Sequence, residues 1–525
     1  MEVPLLVGDF LRRAAKLYPE KVAIVDGERR ITYREYQERA NQLAHALLRL
    51  GVRKGDRVCL LSPNSHFFLE SYYGVLQIGA VLVPLNYRLT AADHEYIINH
   101  AGVSVVLVDH EYTPVIDQIR PMLSTVREWI VAQDGGTAPD GWTDWETLIS
   151  SEPVTPTPEI EMDENDTATL NYTSGTTARP KGVMLTHRNM YINAYNFIAH
   201  LRIQHDDVEL WTLPMFHASG WGGPFAITGM GATHVVLRAV SGAGIFELIE
   251  REGVTFACMA PAVLNTILTY PDAKKHTIKT RPRFTVAGAP PPAAFIEKLE
   301  TELGWAFIQI YGLTETAPII TVSTPDSQTA VEDYARRARA GVEPIGVDIQ
   351  VLDDAGNPVP KDNKTIGEVC ARSNVVLKGY WLQPEETAKA IFGGYFHSGD
   401  LAVWDEFANI HIVDRKKDVI ISGGENISSP EIEDALYKHP AVLECAVIGV
   451  PSEKWGETPK ALIVLREGTS TTEEEVIAFT RDHLAHFKCP TSVDFVESLP
   501  RTATGKLQKF VLRDRYWAGV ERRVN

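Results

Sequence analysis

Cysteine is scarce in this chain. Its 525 residues hold five, Cys59, Cys258, Cys370, Cys445 and Cys489, with no C-x-x-C pair among them. Neither a disulfide framework nor a zinc site is expected from that spread, which fits a reducing, cytoplasmic setting. Positive charge is also in deficit: 51 Lys and Arg against 68 Asp and Glu leave a net charge of −17. Binding a nucleic-acid backbone needs clustered cations, so no nucleic-acid partner is expected. The one basic run near the end, RDRYWAGVERR, reads as a solvated helical face. Long apolar runs are missing too. HFFLESYYGVLQIGAVLVPLNY is broken by Glu70, Gln77 and two glycines, and reads as a helix running into a strand, not a membrane span. MEVPLLVGDFLRRAAK lacks a basic segment followed by a sustained apolar one, so no signal peptide is expected.

What is present points to a globular protein of several domains. Apolar residues make up 44% and charged residues 23%, and the length exceeds one hydrophobic core. ITYREYQERANQLAHALLRLG carries a helical period ending at Gly51, followed by a short buried strand, VCLL. A helix from about Ser65, the strand VLVP, a helix from Thr90 and the strand SVVLV continue the alternation, which implies parallel β-α units covered on both faces. SEPVTPTPEIEMDEND (151–166) is rich in Pro and acid and reads as a linker. The expected architecture is therefore α/β. Subdomains of about 1–165 and 166–340, with a strand-rich 341–414 forming a small β-barrel or sandwich, make an N-terminal domain over 1–414. A compact α+β module over 415–525 follows, carrying EIEDALYKH, AVLECAVIGV and TTEEEVIAFTRDHL.

The chemistry-bearing stretches begin with NYTSGTTARPKGV (171–183), where hydroxyl-bearing residues and a glycine leave a strand just ahead of Lys181. Such a loop can aim several N–H groups and hydroxyls at phosphate oxygens. It is not a P-loop: Pro180 stands where the second glycine belongs, and Gly182 where Ser or Thr would bind magnesium. YGLTETAP (311–318) adds an aromatic face, a glycine turn, a hydroxyl and a carboxylate. HSGD ends at Asp400, DRKKD with SGGEN joins a basic cluster to a double glycine, and PRTATGK places Lys506 near the far end.

In order and spacing these five motifs resemble the adenylate-forming superfamily of acyl-CoA synthetases, luciferases and peptide-synthetase adenylation domains. The match spans nearly the whole chain and is most like bacterial medium- and long-chain fatty acyl-CoA synthetases. The resemblance implies an ATP-, Mg²⁺- and coenzyme A-dependent ligase that joins a carboxylic acid to AMP and then passes the acyl group to a thiol. Thr173, Ser174, Gly175, Thr176 and Thr177, with Lys181, would hold the β- and γ-phosphates. Thr173 and Glu315 would hold Mg²⁺. Tyr311 would stack on adenine opposite the turn containing Gly288 and Ala289, with Gly312 and Thr314 beside it. Asp400 would take the ribose hydroxyls and Arg415 would lie near ribose or phosphate.

Lys506 would reach the reacting carboxylate and α-phosphate from a mobile C-terminal domain that pivots at Lys417. Gly423 and Gly424 would line the pantetheine tunnel once that domain turns. Ile421 and Asn426 depart from the similar fatty acyl enzyme, which has lysine and tryptophan there. In WTLPMFHASGWGG (211–223), His217 falls where amino-acid-activating members carry aspartate, which argues against an amino-acid substrate. Trp221 matches a tryptophan that gates the acyl tunnel of some fatty acyl members. With Gly288 and Ala289 these residues imply a medium- or long-chain fatty acid; the alternative is an aryl or short branched acid. Similar bacterial enzymes are often homodimers.

Overall fold

The helix Tyr33–Arg49 starts where the sequence asks for it, at Thr32. The Thr32 hydroxyl accepts from the Glu35 N–H while the Glu35 carboxylate accepts from the Thr32 N–H, a reciprocal cap. Thr90 caps Ala91–Ala101 reciprocally with Asp93, and the Ser65 hydroxyl caps His66–Gly74 by accepting from the Phe68 N–H. The computed structural model describes residues 2–133, 135–173, 179–288, 291–326, 329–416, 418–422, 425–452, 454–501 and 507–517. The fold is α/β, with a large N-terminal domain and a smaller C-terminal one.

Two eight-stranded, mostly parallel sheets dominate the large domain. The first runs, in spatial order, through strands 379–380, 181–186, 167–173, 81–85, 57–61, 103–109, 128–132 and 143–144. The second runs through 319–323, 306–312, 283–286, 256–259, 208–211, 233–236, 22–26 and 29–32. The helix 66–74 is buried along its whole length, because it contributes to one continuous core with elements of both sheets. Its polar atoms are paired there. The Tyr72 hydroxyl donates to the Met215 carbonyl, Tyr73 donates to the Pro224 carbonyl, and the Glu70 carboxylate meets Arg39 at 2.6 Å. A carboxylate with that partner tolerates burial, which is why Glu70 can sit inside a fully buried helix.

The sheets do not divide the chain at residue 165. Strands 22–26 and 29–32 join the second sheet, with Ile24 paired in parallel to His234, and strands 167–173 and 181–186 complete the first. The stretch 151–166 is a strap, not a free linker. Asn41 and Gln42 donate to the Val154 and Glu152 carbonyls, and His45 lies 3.0 Å from the Thr155 carbonyl. Its length and composition suit a crossover between layers, and composition alone cannot tell that from a boundary.

Residues 347–415 form five antiparallel strands, in which the long strand 395–404 pairs with 367–373, 391–392 and 410–415. The C-terminal domain is a second five-stranded sheet (425–427, 420–422, 456–465, 442–452 and 492–495) packed by helices 429–436, 473–483 and 509–517. No described helix is long and apolar enough to cross a membrane.

Candidate active site

The hydroxyl-rich stretch begins at the end of one strand and runs towards its antiparallel neighbour. Strands 167–173 and 181–186 pair antiparallel so that Thr173 faces Lys181 directly. Ser174, Gly175, Thr176 and Thr177 lie outside the described residues. The Lys181 ammonium pairs with the Glu386 carboxylate and stands 5.1 Å from the centre of the Tyr380 ring. Hydrogen bonds from Lys181 and then Lys389 hold the Glu386 carboxyl down at about 2. The Tyr380 hydroxyl donates to Oε1 of Glu315 at 3.1 Å, and the Leu377 N–H donates to the Glu315 carbonyl. Thus Lys181 and Glu315 are joined through Tyr380. Neither Tyr380 nor Glu386 stood out in the sequence; GYWLQPEET has no spacing that points 65 or 205 residues back.

Glu315 rides on the short helical turn Thr314–Thr316, directly after the strand Ala306–Gly312. Gly312 admits no side chain, since a Cβ there would lie 1.6 Å from the Pro318 carbonyl oxygen. That close approach folds the chain back so that Thr316 Oγ1 accepts from the Leu313 N–H. Tyr311, on the same strand, donates its phenol to Oδ2 of Asp400 at 2.7 Å. Oδ1 of Asp400 faces Arg415 Nε at 3.2 Å, and Asp400 and Arg415 are cross-strand partners. Burial, and then the neighbouring Asp400 charge, push the Tyr311 phenol well above its ordinary range, so it remains a donor. Gly288, at φ +94°, sits just beyond strand Arg283–Val286. Tyr311, Gly312 and Gly288 therefore lie at the C-terminal ends of parallel strands, where open α/β sheets bind ligands. Ala289 lies outside the described residues.

Beside this edge, residues His217–Gly222 form a 3₁₀ turn. His217 is partly buried and its N–H donates to the Pro214 carbonyl. Trp221 is buried with φ +57°, and its carbonyl accepts from Asn193 Nδ2 at 3.0 Å. A Cβ on Gly222 would lie 2.3 Å from that same nitrogen. The Asn193 Oδ1 accepts from the Ile319 N–H, so one amide ties this turn to the segment following Glu315.

Behind the turn, Trp211 Nε1 donates to His234 Nδ1 at 3.1 Å, and His234 Nε2 faces Thr228 Oγ1 at 2.9 Å. The imidazole is thereby fixed as the neutral Nε2–H form. Burial lowers its pKa to about 3 and raises that of Glu209, 3.6 Å away, well above the carboxylate range. Burial thus pushes both groups behind the His217–Gly222 turn towards their neutral forms.

At the junction with the C-terminal domain, Asp414 Oδ2 accepts from the Ser429 N–H (3.0 Å) and hydroxyl (2.5 Å). Asp418 pairs with Arg513 at 2.8 Å. Lys417, Gly423, Gly424 and Lys506 lie outside the described residues. The structure accordingly links Thr173, Lys181, Glu315, Tyr311, Gly312, Thr314, Asp400 and Arg415 in one contiguous group, with His217, Trp221 and Gly288 along its edge.

Known proteins carry the same organisation. The family described as AMP-binding enzyme matches residues 11–381, and the AMP-binding enzyme C-terminal domain matches residues 431–506. The chain is 40% identical to 4-hydroxybutyrate–CoA ligase 2 of Metallosphaera sedula, over 97% of this chain and 94% of that protein. It is 37% identical to the long-chain-fatty-acid–CoA ligase of Thermus thermophilus, over 98% and 96% respectively. Its fold superposes on an anthranilate CoA ligase, AuaEII, solved with anthranoyl-AMP, with a TM-score of 0.90 at 28% identity over 98% of both chains. The chain belongs to the adenylate-forming, AMP-binding enzymes and is an AMP-forming acid–CoA ligase that uses ATP, Mg²⁺ and coenzyme A.

Proposed function

We propose that this ligase activates a compact, uncharged-tailed monocarboxylic acid of about butyrate size, straight or branched. The observation that carries the reading is the packing in and around the His217–Gly222 turn, where Trp211, Phe216, Trp221 and Phe225 are all buried and burial pushes His234 and Glu209 towards their neutral forms. A filled aromatic wall leaves room for a short tail and offers no partner to an ammonium or a second carboxylate. The 40% identity to a ligase named for 4-hydroxybutyrate supports the same reading. A medium- or long-chain fatty acid is the second reading. It is favoured by Trp221, whose positive-φ turn is a place where a swinging indole could open a tunnel, and by the likeness to the Thermus enzyme.

Within the site, Thr173 and Lys181 would hold the outer phosphates of ATP together with Ser174, Gly175, Thr176 and Thr177. Tyr311 would stack on adenine beside Gly288 and Ala289, while Asp400 and Arg415 hold the ribose. Glu315 and Thr173 offer hard oxygen donors that suit Mg²⁺, with Glu315 oriented by Tyr380. When bound, the ion would neutralise phosphate charge. Lys506 would offset the charge that builds as carboxylate meets α-phosphate, a contribution of about 3–4 kcal/mol for contacts of this type. The domain beyond about residue 414 would then turn at Lys417 so that Gly423 and Gly424 admit the thiol. A cytoplasmic setting is part of this reading.

The test is AMP release, dependent on coenzyme A, across acetate, butyrate, 2-methylpropanoate, benzoate, octanoate and palmitate. Butyrate or 2-methylpropanoate should give the highest kcat/KM. Preference for octanoate or palmitate would hand the assignment to the second reading.

A further inference from the structure

Beside strand 395–404, three side chains with metal-binding atoms converge. Cys370 and His397 are cross-strand partners, and Glu368 lies two residues before Cys370, on the same face of its strand. The Cys370 Sγ is 3.3 Å from His397 Nδ1, and Glu368 Oε2 is 3.4 Å from that same nitrogen. All three donor atoms lie within 4.8 Å of one another. One imidazole nitrogen thus faces both a sulfur and a carboxylate oxygen, and as an N–H it can only share a single proton between them. A divalent cation in place of the shared proton would bind all three.

The two separations from His397 Nδ1, 3.3 and 3.4 Å, fit that replacement. Tetrahedral bonds of about 2.0–2.3 Å place neighbouring donors about 3.3–3.8 Å apart. The donors are also held from behind, as metal ligands usually are. Glu368 Oε1 accepts from the Gly399 N–H at 2.9 Å, leaving Oε2 to point at the cluster. The His397 ring lies flat on Phe392, with centroids 3.6 Å apart and planes 6° from parallel. The Lys416 ammonium stands 3.7 Å from Glu368 Oε2 and already reaches Asp354 at 2.9 Å, so it has somewhere to go.

We propose that Glu368, Cys370 and His397 form a site for a zinc-class divalent transition metal, distinct from the Mg²⁺ used in the ligase reaction. A sulfur, an imidazole nitrogen and one carboxylate oxygen form the donor set of zinc, with one position left open for water. Mg²⁺, which selects oxygen, would not compete. The sequence spacing could not show this site, because its ligands come from two strands 27 residues apart. An ion here would tie down the strand leading to Asp400, and would turn Lys416, the residue after Arg415, away from Glu368.

The experiment uses the full chain in saturating Mg²⁺, titrated with Co²⁺ as a spectroscopic stand-in. One equivalent should produce a near-ultraviolet thiolate-to-cobalt band with intense visible bands of a four-coordinate ion, and Zn²⁺ should abolish both. Cys370→Ser, with its fold checked by circular dichroism, should lose the near-ultraviolet band. Glu368→Gln should keep that band but weaken affinity about tenfold or more. Absence of a thiolate band in the native chain, its survival in Cys370→Ser, or unchanged affinity in Glu368→Gln would each overturn the proposal.

Discussion

Tyr311 and Asp400 meet across 89 residues of chain through a 2.7 Å hydrogen bond from phenol to Oδ2. Asp400 is almost fully buried, and its other oxygen faces Arg415, so the carboxylate is aimed before any nucleotide arrives. Tyr311→Phe keeps an aromatic face but removes the bond. A hydrogen bond to a charged group is worth about 1.5–3 kcal/mol. The KM for ATP in pyrophosphate exchange should therefore rise about tenfold or more, with a smaller change in the KM for the acid. An unaltered KM for ATP would remove Asp400 from the ribose site.

Glu315→Gln separates charge from geometry. The amide oxygen can still accept from Tyr380, so the turn Thr314–Thr316 should keep its shape while losing one negative ligand. Exchange should fall about a hundredfold or more, and the Mg²⁺ concentration needed for half-maximal rate should rise. Tyr380→Phe, which leaves the carboxylate but frees its orientation, should cost less than Glu315→Gln. The reverse ranking would place Glu315 outside the metal's reach.

Much of the local structure was legible because local rules fix it. The helical period ending at Gly51 and the starts near Ser65 and Thr90 announced three helices, and apolar runs near 58, 81 and 104 announced parallel strands. The affiliation of strands was not legible. Nothing in VAIVD says that it pairs with THVV two hundred residues later, because buried parallel strands are all apolar. The site divides in the same way. Tyr311, Asp400 and Glu315 sit in motifs whose residue types suggest phosphate and ribose chemistry. Tyr380 and Glu386, which position Glu315 and Lys181, sit in a segment whose role arises only when the chain folds back.

Acid sensitivity has a specific source. His94 is fully buried and neither ring nitrogen has a hydrogen-bond partner among the described residues; burial lowers its pKa from 6.5 to about 4. The folded value lies below the unfolded one, so the neutral ring's contribution is complete above pH 6.5 and is lost as pH falls towards 4. His94→Leu removes this linkage and an unsatisfied polar group. Relative to the native chain it should gain about 2 kcal/mol more stability at about pH 5 than at about pH 8. Denaturant unfolding at the two pH values measures the difference, and an equal shift at both would mean that His94 takes up a proton as readily in the fold as in the unfolded chain.

The tail helix Lys509–Trp517 is fastened to the domain junction by a buried cation. Lys509 Nζ lies 2.9 Å from Glu433 Oε1 and donates to Ser429, whose hydroxyl and N–H both bind Asp414. Burial opposes the ammonium, yet Glu433 and Asp414 outweigh it and raise its pKa. Lys509→Met would strand Glu433, and breaking such a pair costs about 3–5 kcal/mol, whereas replacing both partners by apolar groups is often neutral. The double change Lys509→Met with Glu433→Leu should therefore recover most of the lost stability.

Activity gives a sharper contrast, because Lys506 precedes Lys509 by three residues. Lys506→Ala should cripple adenylation but largely spare thioester formation from supplied acyl-adenylate, since only the first step gathers two anions. Lys509→Met should slow both half-reactions, because it loosens the Ser429–Asp414 junction on which either orientation of the domain depends. Equal losses in both half-reactions for Lys506→Ala would mean that Lys506 acts on the fold of the domain and not on the meeting of carboxylate and phosphate.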